Sequence, residues 1–393
     1  MRISPKSFAF TVLLGLFAAL PALSIDISAP TLALLPQALG TSRTRAGLTL
    51  SLFMLGFALG HLGGGTLSDD RGRRPVLLSG LACFTLAGAG CALSLSGGML
   101  IICRLIQGFG AGVCAVVAFA MVQDLFEGDA ARAKRSYVTV IFVLVPMLAP
   151  ALGSLLMNFF GWRSVFWVLT TGGGILLTIT WAGVAESRFA GRDVSTMRTN
   201  QAGTGQLWKD SGFVGISLAN ALSYGAIFAY IAGSPMVIIG QMGRSSAVFS
   251  AVFASTAAAL AAGAWTSGRL SRRGVDAKTL LNPSLIVAAV ATIALAAVTL
   301  SGITSGAILI PLLLAVLFTR GIITPNLQHL AIERQCQRAG TASAAVSVSQ
   351  LLLGALASAG VALLLQYFGP AAVAVPMALL AGGALVTWRR IRL

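Results

Sequence analysis

Charged side chains are rare in the apolar stretches of this chain, and two of them, Asp26 and Arg104, stand out for the chemistry they can do. Asp26 follows the first apolar run, and Arg104 lies within the fourth. An ionisable residue inside a membrane span is costly and by default marks a proton or substrate pathway. Asp26 is therefore a candidate proton carrier, with an interfacial cap of the next segment as the alternative. Arg104 requires a polar partner or a water-filled cavity; satisfaction by backbone carbonyls alone is the plainer interpretation.

Four of the eight residues that follow Arg104 are small. Gly108 lies one helical turn later with Gln107 beside it, and Gly110 and Gly112 complete the stretch. Glycines let a neighbouring helix approach closely, so the guanidinium can lie against a groove between two helices. The segment therefore predicts a close helix pair that holds a buried cation.

A charged cluster separates the second and third apolar runs. Its glycines permit a tight turn, and its first aspartate can accept hydrogen bonds from helix N-terminal amides. Its arginines can pair with Asp124, Glu127 or Asp129 further along the chain. Such pairs would hold an inner gate shut, whereas charge that only sets topology is the alternative. The predicted gate residues are Gly65, Asp69, Asp70, Arg71, Gly72, Arg73, Arg74 and Asp124.

Two prolines one turn apart, Pro146 and Pro150, interrupt the fifth apolar run, and Gly153 follows. Proline removes a backbone hydrogen bond and bends a helix, while small residues permit close packing. A bent, closely packed span is where one part of a helical bundle can pivot. A kink without such a role is the alternative.

The elements that position these residues follow from composition. Of the 393 residues, 56% are hydrophobic and only 10% are charged, with a mean hydropathy of +0.88. A soluble enzyme, a disordered chain and a secreted disulfide scaffold are thereby excluded. Because a span needs about 20 apolar residues, the length allows about 12 spans and short loops. The predicted runs are 8–25, 45–67, 76–96, 98–122, 137–160, 163–185, 212–232, 246–268, 279–300, 303–324, 341–365 and 370–388.

Orientation follows from the distribution of Lys and Arg, which cytoplasmic loops retain. Alternate loops carry 22 of the 27 cations on one side and 4 on the other, and Arg104 is the only one assigned to a span. Arg320 is counted with the cytoplasmic set. Both termini are therefore expected in the cytoplasm. The net charge of +16 is a topology signal with secondary contact to anionic lipids, and it does not indicate a nucleic-acid partner.

The chain divides into two similar halves. The polar stretch 188–209 reads as a cytoplasmic linker between helical domains 1–187 and 210–393. The stretch from Gly65 to Gly72 after the second run reappears from Gly268 to Gly274 after the eighth, 203 residues later. The fold predicted is all-α and integral to the membrane, with 12 helices in two bundles of six. Such a repeat places a substrate site between the bundles near the midplane.

The remaining reactive side chains show no ligand or catalytic spacing. The five cysteines are interpreted as small packing residues, with a disulfide or metal role as the minor alternative. We interpret His61 as a packed or interfacial histidine, and a role as a proton relay is the alternative. Phosphate-loop, zinc-protease and hydrolase motifs are not found in the sequence. We therefore expect no enzyme activity, catalytic residue, metal or cofactor.

Taken together, these motifs resemble the major facilitator superfamily, in particular its 12-span drug:proton antiporters of the bicyclomycin and chloramphenicol resistance type. The loop from Gly65 to Arg74, the stretch from Arg104 to Gly112 and the stretch from Pro146 to Gly153 resemble the family's signature loop, its span 4 motif and its antiporter motif. Further matches are Asp26-x-x-x-Pro30, Gly161-Trp162-Arg163 and Ser234-Pro235. The resemblance covers the whole chain.

The resemblance implies export of drugs or other small amphiphilic compounds in exchange for protons, by alternating access in a bacterial inner membrane. In that cycle Asp26 carries the proton and Arg104 tunes its proton affinity. Position suggests Asp26, Gln107, Phe228, Tyr230 and Asn326 as substrate contacts. The expected partners are a small-molecule substrate, protons and lipids, and the expected state is a monomer. Export of a native metabolite (an amino acid derivative, a sugar or a siderophore) and uncoupled uniport are the alternatives; a channel or a sensor fits the sequence less well.

Overall fold

The computed structural model describes residues 3–5, 7–126, 128–187, 207–335 and 338–391, and within these ranges the regular structure is helical. Eleven helices in the described residues are long and apolar enough to cross a bilayer, and α5, whose side chains are described only in part, is the twelfth long helix. The helices are α1 (Phe8–Ser28), α2 (Arg43–Arg71), α3 (Arg73–Ala92), α4 (Gly97–Leu125), α5 (Gly128–Phe160), α6 (Trp162–Gly183), α7 (Ser211–Pro235), α8 (Ser246–Ser271), α9 (Ala277–Leu300), α10 (Gly306–Arg334), α11 (Ala339–Phe368) and α12 (Ala371–Arg390).

Serine residues mark where several of these helices begin. The hydroxyl groups of Ser7, Ser42, Ser96 and Ser245 each accept a hydrogen bond from the amide three residues later. This contact satisfies one of the four amides that a helix start leaves without a partner. The apolar runs thus define the spans, and at these four helices a serine between the runs marks where the span starts.

The chain forms two compact units, Met1–Gly191 and Arg192–Leu393. Helices α1 to α6 belong to the first unit and α7 to α12 to the second. Most of the predicted linker 188–209 lies outside the described residues. Leu207 is fully buried in an apolar core with Phe213, Leu281 and Trp388, so the second unit begins before residue 210.

In the first unit, α2 and α4 pack with their backbones in contact. A Cβ at Gly56 would overlap the carbonyl oxygen of Leu105, and one at Gly108 would overlap that of Phe53. Only glycine permits helices to come this close, as the small residues after Arg104 predict. The contact fixes the rotation and the height of α4 against α2.

The second unit repeats this contact between α8 and α10. A Cβ at Gly263 would overlap the carbonyl oxygen of Phe318, and one at Gly321 would overlap that of Leu260. The reciprocal glycine and carbonyl pairs match those of α2 and α4 helix for helix. The internal repeat therefore extends from the short loop motif into the packing of the bundle.

Candidate functional site

Arg104 is a buried cation of the first unit whose guanidinium donates four hydrogen bonds. It is 2% exposed. Its Nη1 donates to the Ser24 hydroxyl and to Gln107 Oε1, both at 2.9 Å, and its Nη2 donates to the Ser28 hydroxyl at 3.3 Å and to the Ser24 carbonyl at 3.4 Å. The guanidinium also lies 4.2 Å from the ring centre of Phe53. Side-chain oxygens, a ring and one backbone carbonyl thus surround the cation, and they join α4 to α1.

Asp26 lies on α1 between the two serines that hold Arg104, and it is 4% exposed. Successive helical residues turn by about 100°, so Asp26 projects about 160° away from the face that carries Ser24 and Ser28. Among the described residues it forms no ion pair with Arg104. Arg104 therefore binds α1 on the face opposite to the one that carries Asp26.

The predicted antiporter motif packs against the same stretch of α1. A Cβ at Gly153 would overlap the carbonyl oxygen of Ile27, which adjoins Asp26. Pro150 is buried, and the side chain of Pro146 lies outside the described part of α5. Helix α5 runs unbroken from Gly128 to Phe160. The motif thus brings α5 into backbone contact with the segment that carries the buried carboxylate.

The predicted gate cluster centres on Arg73, at the start of α3. Its Nη1 lies 2.6 Å from Asp69 Oδ1, and its Nε lies 2.7 Å from Asp124 Oδ2. The Arg73 side chain is 8% exposed and that of Asp124 is 9% exposed, so this pair is shielded from water and salt. Nη1 also donates to the Ser68 hydroxyl at 2.6 Å. One arginine therefore ties the end of α2 and the end of α4 to the start of α3.

Two details of the predicted gate are wrong, and one of its residues was missed. Gly65 lies inside α2 and makes no turn; the turn needs only Gly72, whose φ of 99° favours glycine. The carboxylate that accepts from helix N-terminal amides is Glu186, not Asp69: it receives the Arg73 and Arg74 amides at 2.8 and 3.1 Å. Sequence reasoning missed Glu186 because it stands 113 residues from Arg73, where no local pattern points to it.

The other members of the predicted cluster are less deeply placed. Asp70 and Arg71 are exposed at the end of α2. Arg74 donates from Nη2 to the Trp181 carbonyl at 2.7 Å, which ties α3 to α6. The two alternative partners, Glu127 and the side chain of Asp129, lie outside the part of the chain that the structure describes. Of the three carboxylates proposed for pairing, Asp124 is the one that the structure places against an arginine of the cluster.

Arg320 was wrongly assigned to the cytoplasmic loops. Helix α10 continues to Arg334, ten residues past the predicted end of the run, and Arg320 is 3% exposed in its middle. Its Nη1 donates to the Ser223 hydroxyl at 2.9 Å, and its guanidinium lies 5.5 Å from the Tyr224 ring centre. Arg104 is therefore not the only arginine buried within a span.

The residues predicted to bind substrate are buried but dispersed. Gln107 accepts from Arg104 in the first unit. In the second unit, Phe228 stacks on Tyr224 with ring centres 4.7 Å apart, and the Tyr230 hydroxyl lies 3.3 Å from the Thr256 hydroxyl. The Asn326 amide donates to the Ser267 hydroxyl at 2.8 Å and to the Ile322 carbonyl at 2.7 Å. Each of these side chains has a neighbour within its own unit.

Helix heights separate two of these residues. The ion pair Asp210–Arg334, at 2.8 Å, joins the start of α7 to the end of α10. With a rise of 1.5 Å per residue, Tyr230 lies about 30 Å along α7 from that pair, and Asn326 lies about 12 Å along α10. Their heights therefore differ by about 18 Å, so they do not form one small binding site together.

Two further predictions concern metals and His61. Among the described residues, no three His, Cys, Asp or Glu side chains cluster as a metal site would require. His61 lies edge-on to Phe57 with ring centres 6.0 Å apart, and its Nδ1 has no hydrogen-bond partner in the described part of the chain. A packed histidine fits these contacts.

Known proteins resemble this chain over most of its length. A family model described as Major Facilitator Superfamily matches residues 12–358. The chain is 32% identical to "Uncharacterized MFS-type transporter YdgK" of Bacillus subtilis (strain 168) over 90% of its own length and 88% of the relative. It is 28% identical to "Bicyclomycin resistance protein homolog" of Haemophilus influenzae, covering 91% and 89%. It is 32% identical to a "Chloramphenicol resistance protein" of Pseudomonas aeruginosa, covering 67% and 62%.

Solved structures share the fold at low sequence identity. The "D-xylose-proton symporter" matches with a TM-score of 0.76 at 16% identity, over 97% of each chain. A bacterial homolog of the human lysosomal transporter Spinster matches with a TM-score of 0.76 at 14% identity, over 99% of this chain and 95% of that one. The family model, the relatives and the fold agree with one another, and this multi-pass membrane protein belongs to the major facilitator superfamily.

Proposed function

We propose that this transporter exports small amphiphilic compounds, drugs among them, from the cytoplasm in exchange for protons, by alternating access. Asp26 carries this proposal, because it is the buried carboxylate of the described helices and lies where two contacts meet. Arg104 binds its helix through Ser24 and Ser28, and Gly153 packs on its neighbour Ile27. A carboxyl group at such a place can exchange a proton and pass the change in charge to α4 and α5.

The driving force is sufficient for resistance. A membrane potential of about 100 mV supplies about 2.3 kcal/mol per charge, and one pH unit adds about 1.4 kcal/mol. One proton could therefore drive about 500-fold accumulation of a neutral compound. The names of the relatives, which refer to bicyclomycin and chloramphenicol resistance, support a substrate of this kind.

The Arg73 cluster would act as the latch at the inner end of the first unit. Its pairs with Asp69 and Asp124 are formed here, and a cycle would have to break and remake them. We propose cytoplasmic termini, a bacterial inner membrane and a monomer surrounded by lipid as the setting of this cycle. The excess of Lys and Arg in one set of alternate loops supports this orientation.

The experiment is proton exchange by the purified full chain in dodecyl maltoside on addition of chloramphenicol. Wild type should release protons into weakly buffered solution when the compound binds, and Asp26→Asn should not. Asp276→Asn is the matched control, because it changes an exposed aspartate that caps α9, where asparagine also caps well. Arg104→Ala should bind the compound with an altered proton yield.

The outcomes separate the candidate functions. Proton release that persists in Asp26→Asn would make this carboxylate structural and move coupling elsewhere. Binding without proton exchange in wild type would favour uncoupled uniport. Absence of chloramphenicol binding, together with proton exchange on addition of an amino acid derivative, a sugar or a siderophore, would favour export of a native metabolite.

A further inference from the structure

The second unit buries a cation that its own described side chains do not neutralise. Arg320 is 3% exposed, and among the described residues its side-chain hydrogen bond goes to the neutral Ser223 hydroxyl. Tyr224 adds the face of a ring at 5.5 Å. A buried charge without an opposite charge is costly unless a counterion accompanies it. Among the described residues of this unit, Arg320 therefore has no anionic partner.

The described acidic residues of the second half all stand at helix ends: they are Asp210, Asp276 and Glu333. Asp193, the remaining carboxylate of this half, lies outside the described residues. Arg320 lies fourteen residues before the end of α10, about 21 Å along its axis. None of the three described carboxylates forms an ion pair with it. The charge therefore stays uncompensated within the described part of this unit.

An amide with unused hydrogen-bonding atoms lies one turn of α7 from the two residues that contact this cation. Asn220 is fully buried on α7, and neither its Nδ2 nor its Oδ1 has a hydrogen-bond partner among the described residues. Residues three and four positions apart are neighbours on a helix surface. Ser223 and Tyr224, the two contacts of Arg320, follow Asn220 at these spacings. Buried amides are nearly always hydrogen-bonded, so this exception points to a partner outside the described residues.

Residue counts along α7 and α10 place Ser223 and Arg320 at a similar depth in the second unit. Ser223 lies thirteen residues from Asp210 along α7, and Arg320 lies fourteen residues from Arg334 along α10. Because Asp210 and Arg334 form an ion pair, distances along α7 and along α10 can both be measured from that pair. Asn220 lies one turn nearer that pair, about 15 Å from it. Cation and amide therefore share the interior of the bundle, far from either end.

Their chemistry matches one class of ligand. A guanidinium presents five N–H donors in a planar fork that fits a carboxylate in bidentate fashion, and an amide NH₂ adds another donor. We propose that Arg320, Ser223 and Asn220 bind the acidic group of a transported compound, so that organic carboxylates and zwitterions are substrates. This inference rests on the proposed transport function and specifies its substrate class. It assigns anion recognition to the second unit and proton exchange to the first.

The test compares 4-phenylbutyrate with 4-phenylbutyramide, which are alike in size but differ in charge. Thermal unfolding of the purified full chain in dodecyl maltoside is followed by tryptophan fluorescence as each compound is titrated. We expect the acid, and not the amide, to raise the unfolding temperature of wild type. Arg320→Gln should weaken the apparent affinity for the acid at least about tenfold, because the charge-assisted pair is lost. Asn220→Ala should weaken it less, and Arg320→Lys should retain part of it.

Arg273→Gln is the matched control, since it removes an exposed arginine of the same unit and should leave the acid effect unchanged. Equal effects of acid and amide on wild type, no effect of either compound, or unchanged acid selectivity in Arg320→Gln would each overturn the proposal. If Arg320→Gln does not fold, unchanged acid affinity in both Asn220→Ala and Arg320→Lys would do so. Stabilisation by phosphatidylglycerol but not by 4-phenylbutyrate would contradict a solute site and indicate a lipid headgroup.

A transport measurement distinguishes this inference from the proposed function. In proteoliposomes, proton-coupled movement of neutral compounds that requires Asp26 but tolerates Arg320→Gln, with no acid selectivity, would retain the proposed function and reject the inference. Acid-selective movement that requires Arg320 but continues without proton exchange would retain the anion site and reject proton coupling.

Discussion

The fourth helix of each unit contains a buried arginine, and the surroundings of the two arginines differ. Arg104 donates four hydrogen bonds and faces two phenylalanine rings. Arg320, among the described residues, donates one and faces Tyr224. The first unit also contains Asp26, whereas the described carboxylates of the second stand at helix ends. The fourth helix thus holds a well-satisfied cation in the first unit and, among the described residues, an under-satisfied one in the second.

The glycine contacts show that the two arginines are not at the same height. Gly108 and Gly321 meet equivalent carbonyls, so Arg320 occupies the position of Gln107 and lies one turn beyond that of Arg104. A duplicated bundle has therefore kept its backbone packing while its polar groups moved by a turn. Packing tolerates little change, because a glycine that meets a carbonyl cannot gain a methyl group, but polar groups can move where a new partner exists.

The largest difference is expected between the Arg73 cluster at the start of α3 and the corresponding loop of the second unit. Arg73→Gln removes an arginine that two carboxylates share in a nearly buried site, so it should lower the free energy of unfolding by about 4 kcal/mol. Arg272, in the corresponding loop of the second unit, is exposed, so Arg272→Gln should change it by less than about 0.5 kcal/mol. Unfolding in mixed dodecyl maltoside and SDS micelles measures both. Equal losses would mean that a stabilising arginine is not confined to the loop of the first unit.

The two buried arginines can be compared by the same substitution. Arg104→Met and Arg320→Met remove the same charge, so the relief of desolvation largely cancels between them. Arg104 has three more hydrogen bonds to lose, and at about 1 kcal/mol each Arg104→Met should be less stable than Arg320→Met by about 3 kcal/mol. The same micelle titration measures this gap. A gap near zero, or one in the opposite direction, would show that hydrogen-bond number does not distinguish the sites.

The shared packing predicts a similarity between the units. Gly108→Ala and Gly321→Ala each place a methyl group into a backbone carbonyl and should each cost about 2 kcal/mol. Gly63→Ala and Gly268→Ala are the matched controls, because a Cβ there meets open space, and both should be neutral or stabilising. Thermal unfolding of the four variants provides the comparison. A cost in only one unit would argue that the repeat does not extend to this helix pair.

The smallest effect is expected at Asp210, where the second unit ties α7 to α10. Arg334, through its hydrogen bonds, holds the pKa of the Asp210 carboxyl below its usual value. A lowered pKa stabilises the folded state above the unfolded pKa of about 3.9, and that contribution is lost as the pH falls through the folded value. Asp210→Asn should cost about 0.5 kcal/mol at pH 7. Its difference from wild type should shrink below about pH 4, and a constant difference from pH 7 to 3 would show that the ion pair contributes nothing.

Residues close together in sequence were the predictable part of the site. Arg104 and Gln107, three residues apart, were expected to lie together, and the structure joins them by a hydrogen bond at 2.9 Å. The glycines after Arg104 were expected to admit a neighbouring helix, and Gly108 and Gly112 do so. These predictions succeed because spacing along one helix decides which side chains share a face.

Residues far apart in sequence were predicted less well. Arg320 was counted with the cytoplasmic set although it lies within the predicted run 303–324. The helix continues ten residues past that run, to Arg334, so Arg320 stands in its middle. Glu186 was not predicted, because it lies 113 residues from Arg73, whose amide donates a hydrogen bond to it. Asp26 was expected to act together with Arg104, but the rotation of α1 presents serines to the arginine instead. Each of these outcomes depends on a helix rotation or a helix end that hydropathy does not encode.

The sequence by itself determined the membrane location, the approximate spans, the twofold repeat and the family resemblance. These properties follow from runs of about 20 apolar residues and from motifs that are local in the chain, because a bilayer requires long apolar helices whatever their neighbours are. Only the tertiary structure decided which partners the charged residues have: Asp69, Asp124 and Ser68 for Arg73, serines and Gln107 for Arg104, and a single serine for Arg320. The reason is that backbone contacts at a few glycines set each helix rotation and height, and these contacts join residues that the sequence keeps far apart.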